Sequence, residues 1–542
     1  MQITDFENIE ILGEMGYRIL KSFARLHDRE YRPEVLFHIE KNGWAGDWEG
    51  RTLLALVLLS RITGKKALFL DVILERLGGE LNERGYLKGI LSDSQADEQQ
   101  LSGHSWLLRG LLEHYLWTGE ERSLRIAKGI VEGLYLPRRA LYDHYPLERR
   151  RMDERAAADG NKDSVATDGW YLSTDIGCAF MSLDGLSQYY AVTGDERVRA
   201  MLETMIRVYM EIDFVKASMQ THASLSACRG ILRYYQCTRD PKLLSFVSGF
   251  MRLYSDYGMT ENYANFNWFG RPLWTEPCGF IDSFILATEL WRETRDAGWL
   301  AFASRVYQNA FAHGQRSNGG FGCDDCVGPL GVSGLLAAQR KHYEAHWCCT
   351  MRGAEGLSWA ARAAVMREDQ EICVTLPVCG RYRWNALEVF VDYRQGEQAW
   401  ARVRVQGNQG RKNILLYVPD GADRDGARAM VQGTPATLRW EGCMAVLTIM
   451  GNGEIEFTCP LALEKRPPVG KTTPQGLKTF WRGDRLLGVG TPRPVRLRPD
   501  RLTAVEEGRL TDGENLLETP EESIYMEKEA LLERPVQILF DF

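Results

Sequence analysis

The residues of this chain best suited to chemistry are two adjacent cysteines, Cys348 and Cys349, in His346-Trp347-Cys348-Cys349-Thr350-Met351-Arg352-Gly353. Adjacent Cα atoms lie about 3.8 Å apart, closer than a disulfide normally spans. The pair reads either as two small buried apolar residues or as two thiolates turned toward a group that wants sulfur. Upstream, Glu276-Pro277-Cys278 offers a carboxylate and a third thiol. Zinc takes Cys, His, Asp and Glu, four of them in closed sites, and thiolates suit the softer side of its preferences. Glu276, Cys278, Cys348 and Cys349 are therefore a candidate zinc site, against the plainer reading of four residues that are merely buried. Cys323-Asp324-Asp325-Cys326 competes with it. Its flanks, Gly319-Gly320-Phe321-Gly322 and Val327-Gly328-Pro329, make it a loop that could hold metal itself or join Cys348 and Cys349 in a four-cysteine site. The other cysteines, Cys178, Cys228, Cys237, Cys373, Cys379, Cys443 and Cys459, read as structural.

Other groups could meet a ligand. His104 lies eleven residues before Tyr115 and His222 thirteen before Tyr235, equivalent places at the starts of two helices. Each reads as a substrate-binding or a packing histidine. Asp47, Trp48 and Glu49 in Gly46-Asp47-Trp48-Glu49-Gly50-Arg51 open another helix and suit hydrogen bonding and stacking with a sugar. The simpler reading is a helix N-terminus that favours acids. Glu261 precedes Glu276 by fifteen residues, in a stretch rich in aromatics: Tyr263, Phe266, Trp268, Phe269 and Trp274. Such rings form carbohydrate platforms and cores alike.

These residues need elements to position them. Residues 1 to about 365 carry apolar residues at helical spacing. Five times a hydrophobic helix closes on a similar phrase: Ile62-Thr63-Gly64-Lys65, Tyr115 to Glu120, Tyr190 to Asp195, Tyr235 to Asp240 and Trp291 to Asp296. Glycine after threonine suits a left-handed C-cap, and the acid that follows can cap the next helix. A recurring helical hairpin at gaps of about 45 to 75 residues fits an α/α-barrel, a closed toroid with its loops gathered at one end, better than an open array. Near residue 370 the pattern changes to short, β-branched, alternating runs such as Leu387 to Tyr393 and Asn413 to Val418. The chain thus predicts a multidomain α and β protein. Residues 1–368 form the catalytic barrel and 369–542 an antiparallel β-sandwich region, with 500–530 packing back on the barrel.

Bulk properties narrow the class. A chain of 542 residues exceeds one core, so two or three domains are expected. The net charge of −7 argues against a nucleic-acid partner, and the short basic run Arg149-Arg150-Arg151 reads as solvated surface. The N-terminus has neither a basic region nor an apolar run, and Leu53 to Leu59 is too short to span a bilayer. A cytoplasmic protein with mostly reduced thiols is expected, so clustered cysteines read as metal ligands or catalytic groups.

With these residues in place, the chain resembles glycoside hydrolase family 127, the β-L-arabinofuranosidase-like enzymes. The resemblance rests on Glu276-x-Cys278, on Cys348-Cys349, on the repeated Tyr/Trp-x-x-Thr helix ends, and on Leu415-Leu416-Tyr417-Val418-Pro419 and Leu461-Ala462-Leu463. It implies an α/α-barrel with β-sandwich modules, zinc on Glu276, Cys278, Cys348 and Cys349, and a retaining mechanism with Cys348 as nucleophile. It also implies Glu261 as acid/base and sugar contacts from His104 and His222. The implied partner is a small carbohydrate, with no nucleic acid or membrane and a homodimer as the assembly to look for. Three departures stand out: Asp175-Ile176-Gly177-Cys178-Ala179 where the family often has a histidine, Thr350-Met351-Arg352-Gly353 in place of prolines, and the Cys323/Cys326 loop. They leave the sugar open. A thiol of pKa near 8.5 is a poor nucleophile at neutral pH unless it is deprotonated, which zinc coordination accomplishes. Two rivals remain: a zinc-stabilised carbohydrate-binding or scaffold protein without catalysis, and a toroid-fold lyase or epimerase using histidine and tyrosine. A catalytic acid at Glu261 would favour hydrolysis, and its absence from the pocket the binding reading.

Overall fold

The computed structural model describes residues 1–38, 44–147, 167–327, 333–473, 476–491, 495–506 and 508–540. Arg149-Arg150-Arg151 and Gly328-Pro329 lie outside the described residues.

The five repeated phrases all fold the same way. The threonine hydroxyl donates to the carbonyl four residues back: Thr63 to Leu59, Thr118 to His114, Thr193 to Tyr189, Thr238 to Tyr234 and Thr294 to Leu290. The same oxygen accepts from the amide two residues on, at Lys65, Glu120, Asp195, Asp240 and Asp296. The residue between is left-handed, Gly64, Gly119 and Gly194 in three cases and Arg239 and Arg295 in two. Only glycine adopts that conformation without cost, so the two arginines rely on the threonine clamp around them. Asp195, Asp240 and Asp296 then cap the following helix by accepting from Arg197, Lys242 and Gly298.

Six helices bury most of their residues: Asp47–Thr63, Glu98–Thr118, Ser182–Thr193, Thr221–Thr238, Pro277–Thr294 and Cys349–Ala363. Each packs on the next in that order, and Cys349–Ala363 returns to Asp47–Thr63. Amphipathic helices such as Glu121–Ile130 and Glu196–Tyr209 pack outside their predecessors, with one apolar face inward. None of the described helices is long and apolar enough to cross a membrane.

The C-terminal part builds two large sheets, of six and seven strands. Leu387–Gln395 alternates buried residues with half-buried or exposed ones along its length, as a strand with one covered face should. Most pairs are antiparallel, but Glu371–Val374 runs parallel to Arg411–Tyr417, a departure from the all-antiparallel expectation. The chain start also belongs here. Gln2–Ile3 pairs with Val365–Glu368, and Ile9–Leu12 with Cys379–Trp384, so the helical part proper begins at Gly13. The Cys323–Cys326 segment, read as a loop, runs into a strand, Asp324–Val327, paired with Ser333–Ala338. That second strand also pairs with Val536–Gln537 at the chain end, a long-range partner that local composition could not reveal. Ser523 donates to the His313 carbonyl at 2.7 Å, and Arg18 pairs with Glu522, fastening the C-terminal segment to the helices.

Candidate active site

Four of the six inner helices present their N-termini to one cavity of about 450 Å³, a size usual for small-molecule sites. Helix N-termini carry positive potential, which suits anions and thiolates. Close helix approaches set the geometry. A Cβ at Gly103 would lie 2.2 Å from the Ala45 carbonyl oxygen, so the loop carrying Asp47 crosses the Glu98–Thr118 helix only over glycine. A Cβ at Gly353 would overlap the Phe321 ring at 2.0 Å, which fixes the first turn after the cysteine pair.

Glu276 is the N-cap residue of Pro277–Thr294, with Cys278 the second residue of that helix. Cys348 is the N-cap of Cys349–Ala363. The one carboxylate and three sulfurs lie within 4.8 Å of one another, with Cys278 and Cys349 buried and Glu276 and Cys348 half-buried. Cys278 Sγ is 3.5 Å and Cys348 Sγ 3.4 Å from Cys349 Sγ. Tetrahedral ligands about 2.3 Å from a metal sit roughly 3.8 Å apart, so the set fits a metal ion with little adjustment. Electrostatics point the same way. Burial holds the Cys278 and Cys349 thiols well above their ordinary value. At Cys348 the Cys278 contact lowers the value, but the Cys349 contact and burial outweigh it. Burial lifts Glu276 to about 7, against the pull of Arg51. Such a cluster stays neutral on its own and ionises when a cation is supplied.

Arg51, one turn after Asp47, organises the surroundings. Its Nε lies 2.9 Å from both Asp47 oxygens, its Nη1 3.6 Å from Cys278 Sγ, and its Nη2 3.4 Å from His222 Nε2. Its guanidinium stacks 4.3 Å over the Trp106 ring. His222 Nδ1 is 2.9 Å from Asp282 Oδ2. Nδ1 therefore carries the proton and Nε2 accepts from Arg51. Burial lowers the His222 pKa to about 4, so the ring is neutral. Asp282 is held far below the usual carboxylate range: burial opposes this, but Arg352, Arg229 and His222 prevail. Gln220 Nε2 donates to Glu276 Oε2 at 3.2 Å.

Of the residues expected at the site, Asp47, Trp48, Glu49, His222, Glu276, Cys348 and Cys349 line the cavity, and Cys278 lies behind it in the cluster. Two do not. His104 is fully buried, with Nδ1 donating to the Gln100 carbonyl at 2.7 Å and Nε2 accepting from the Leu87 amide at 2.9 Å. Both ring nitrogens are used in fixing a loop, and His104 does not line the cavity. Glu261 accepts from the Val469 amide at 2.8 Å and the Thr473 hydroxyl at 2.7 Å. It is buried, does not line the cavity, and ties down the loop at Pro467–Gly470.

Sequence reasoning missed Arg51, Gln220 and Asp282 as site residues. The four-residue spacing from Asp47 to Arg51 was the available signal. Asp175 also lines the cavity, as does Cys323. Cys326 is buried outside it. Trp44, Trp48, Trp274 and Trp347 ring the mouth, with Trp274 stacked on His342 at 5.9 Å.

Sequence comparison matches the chain to no family model and to no curated protein. Structure comparison does find relatives. A GH127 β-arabinofuranosidase superposes with a TM-score of 0.69 at 12% identity, covering 100% of this chain and 98% of that one. A GH127 β-L-arabinofuranosidase from Geobacillus stearothermophilus T6 gives 0.67 at 13% identity, covering 98% and 100%. A third structure, described as a glycoside hydrolase, gives 0.67 at 12% identity, covering 99% and 97%. Over its full length, this chain has the fold of the family 127 glycoside hydrolases.

Proposed function

We propose that this protein is a zinc-dependent retaining glycosidase acting on a small furanoside such as a β-L-arabinofuranoside. The observation that carries the reading is the convergence of three thiols and one carboxylate, within 4.8 Å of one another, at a cavity in a glycosidase fold. The fold is read as an α/α-barrel followed by β-sandwich modules. The zinc ligands would be Glu276, Cys278, Cys348 and Cys349. When bound, zinc supplies the positive charge that keeps these thiols ionised at neutral pH.

Cys348 is the nucleophile because it alone of the three thiols is half-buried at the cavity wall. Its sulfur attacks the anomeric carbon as the bond to the leaving oxygen breaks, giving a thioglycosyl intermediate. Water then displaces the sulfur, following the two-step logic of retaining enzymes. Arg51 holds Asp47 and His222 in place. Asp47, Trp48, Glu49 and His222 are read as sugar contacts, and the tryptophan rim suits the apolar face of a sugar or its aglycone. Gln220 Oε1, Asn267 Oδ1 and Trp48 Nε1, on cavity residues, lack a protein partner, which supports a polar occupant. The reduced thiols suit the cytoplasm.

The position of Glu261 is the observation that favours a non-catalytic sugar-binding reading, since it leaves the expected acid away from the cavity. Other carboxylates line the cavity, so hydrolysis keeps its chemistry. A histidine–tyrosine epimerase fits less well, because no tyrosine lines the cavity among the described residues. An assay of aryl furanosides with the parent chain and Cys348→Ser tests the proposal. Turnover by the parent and its loss in the folded variant are expected, and equal activity in both would refute the nucleophile.

A further inference from the structure

With Glu261 elsewhere, the acid must come from carboxylates that line the cavity: Asp47, Glu49, Asp175 and Glu276. Two of them are committed, and a third is more deeply buried. Glu276 belongs to the ligand cluster and is bonded by Gln220. Asp47 is bracketed by Arg51 through both oxygens. Glu49 is 6% exposed at the start of its helix, more deeply buried than Asp175.

Asp175 differs. It is half-buried at the cavity, and its carboxylate makes no hydrogen bond or ion pair with the described residues. Its backbone, by contrast, is fixed on both sides. The Asp175 amide donates to Ser173 Oγ at 3.1 Å, and its carbonyl accepts from Cys178 at 3.1 Å. The next carbonyl, Ile176, accepts from the Gln220 amide at 3.1 Å. Gln220 in turn bonds Glu276, so a short chain of contacts ties the Asp175 loop to the sulfur cluster. A rigid backbone with an uncommitted acid facing a cavity is the arrangement a proton-transfer group requires.

We propose that Asp175 is the general acid and base of this site. In the first step its carboxyl gives a proton to the leaving oxygen as that carbon–oxygen bond breaks and the Cys348 sulfur–carbon bond forms. In the second its carboxylate takes a proton from water as the water oxygen bonds the anomeric carbon and the electron pair of the sulfur–carbon bond returns to Cys348. Burial raises its pKa well above the ordinary value, and the charges of Glu276, Asp47 and Glu98 add to this while Arg51 opposes it. The inference rests on the retaining-glycosidase reading.

The test uses the full chain, zinc-loaded, with an unactivated phenyl furanoside and a dinitrophenyl furanoside of the same sugar. Asp175→Asn should lose about 10²- to 10⁴-fold on the phenyl substrate, as expected for a missing proton donor. On the dinitrophenyl substrate it should accumulate a glycosyl adduct on Cys348, visible by mass spectrometry, and added azide should restore turnover. Asp175→Ala with added formate gives a second route to the same rescue should the asparagine variant unfold. A parent that turns over both substrates while Asp175→Asn stays within ten-fold of it on each would overturn the role of Asp175 alone. A parent that neither turns over nor labels Cys348 would overturn the glycosidase reading, and this inference with it.

Discussion

Glu261 offers a clean separation of structure from chemistry. Its two oxygens accept from the Val469 amide and the Thr473 hydroxyl, and the carboxyl is buried. Glu261→Gln keeps the volume but presents an amide NH₂ where one of these donors now points. One hydrogen bond is lost and one buried donor is left facing another. With such bonds contributing about 0.5–3 kcal/mol and an unsatisfied buried donor costing about 1–3 kcal/mol, the change should cost about 2–4 kcal/mol. If this loop opens locally, its open population should rise roughly 30- to 1,000-fold. Limited proteolysis under native conditions reads that population when opening and closing are fast. Cleavage near Pro467–Gly470 should accelerate by this factor, while kcat/KM on a furanoside stays within about three-fold of the parent. Unchanged proteolysis with collapsed turnover would refute the reasoning and return Glu261 to the chemistry.

Other expectations follow from the same geometry. Burial raises Glu49 from 4.5 to about 7, so the group contributes stability that is fully present below its unfolded value near pH 4.5 and lost as pH rises through 7. Glu49→Gln should therefore gain on the parent by about 3 kcal/mol between pH 5 and 8 in denaturant unfolding; parallel pH profiles would contradict this. Asp282→Asn removes the shared partner of Arg229, Arg352 and His222 and should cost about 3–5 kcal/mol in the same measurement. Metal analysis should find about one zinc per chain, lost in Cys278→Ala with Cys349→Ala; full retention would remove the site.

Much of the fold was legible because its signals are local. The recurring threonine phrases encode hydroxyl clamps and, in most of them, caps that form within a few residues, so the helical hairpins could be read directly. Glu276, Cys278, Cys348 and Cys349 were legible by ligand chemistry. Less legible was what depends on distant partners. His104 and Glu261 have the right types for a sugar site, but Leu87 and Val469, far from a reader's window, decide where they face. The chain start joins the sheets through strands more than 350 residues away. Arg51 carries no motif of its own, and its role arises where two helix ends and a sulfur meet.

The central claim is that a metal-held cysteine, not a carboxylate, attacks the sugar. Peptide mapping by mass spectrometry, after labelling the zinc-loaded chain with a cyclitol-type covalent furanoside probe, tests it most directly. One adduct, on Cys348, is expected. An adduct on Glu276, Asp175 or Glu49 in an active enzyme would contradict it.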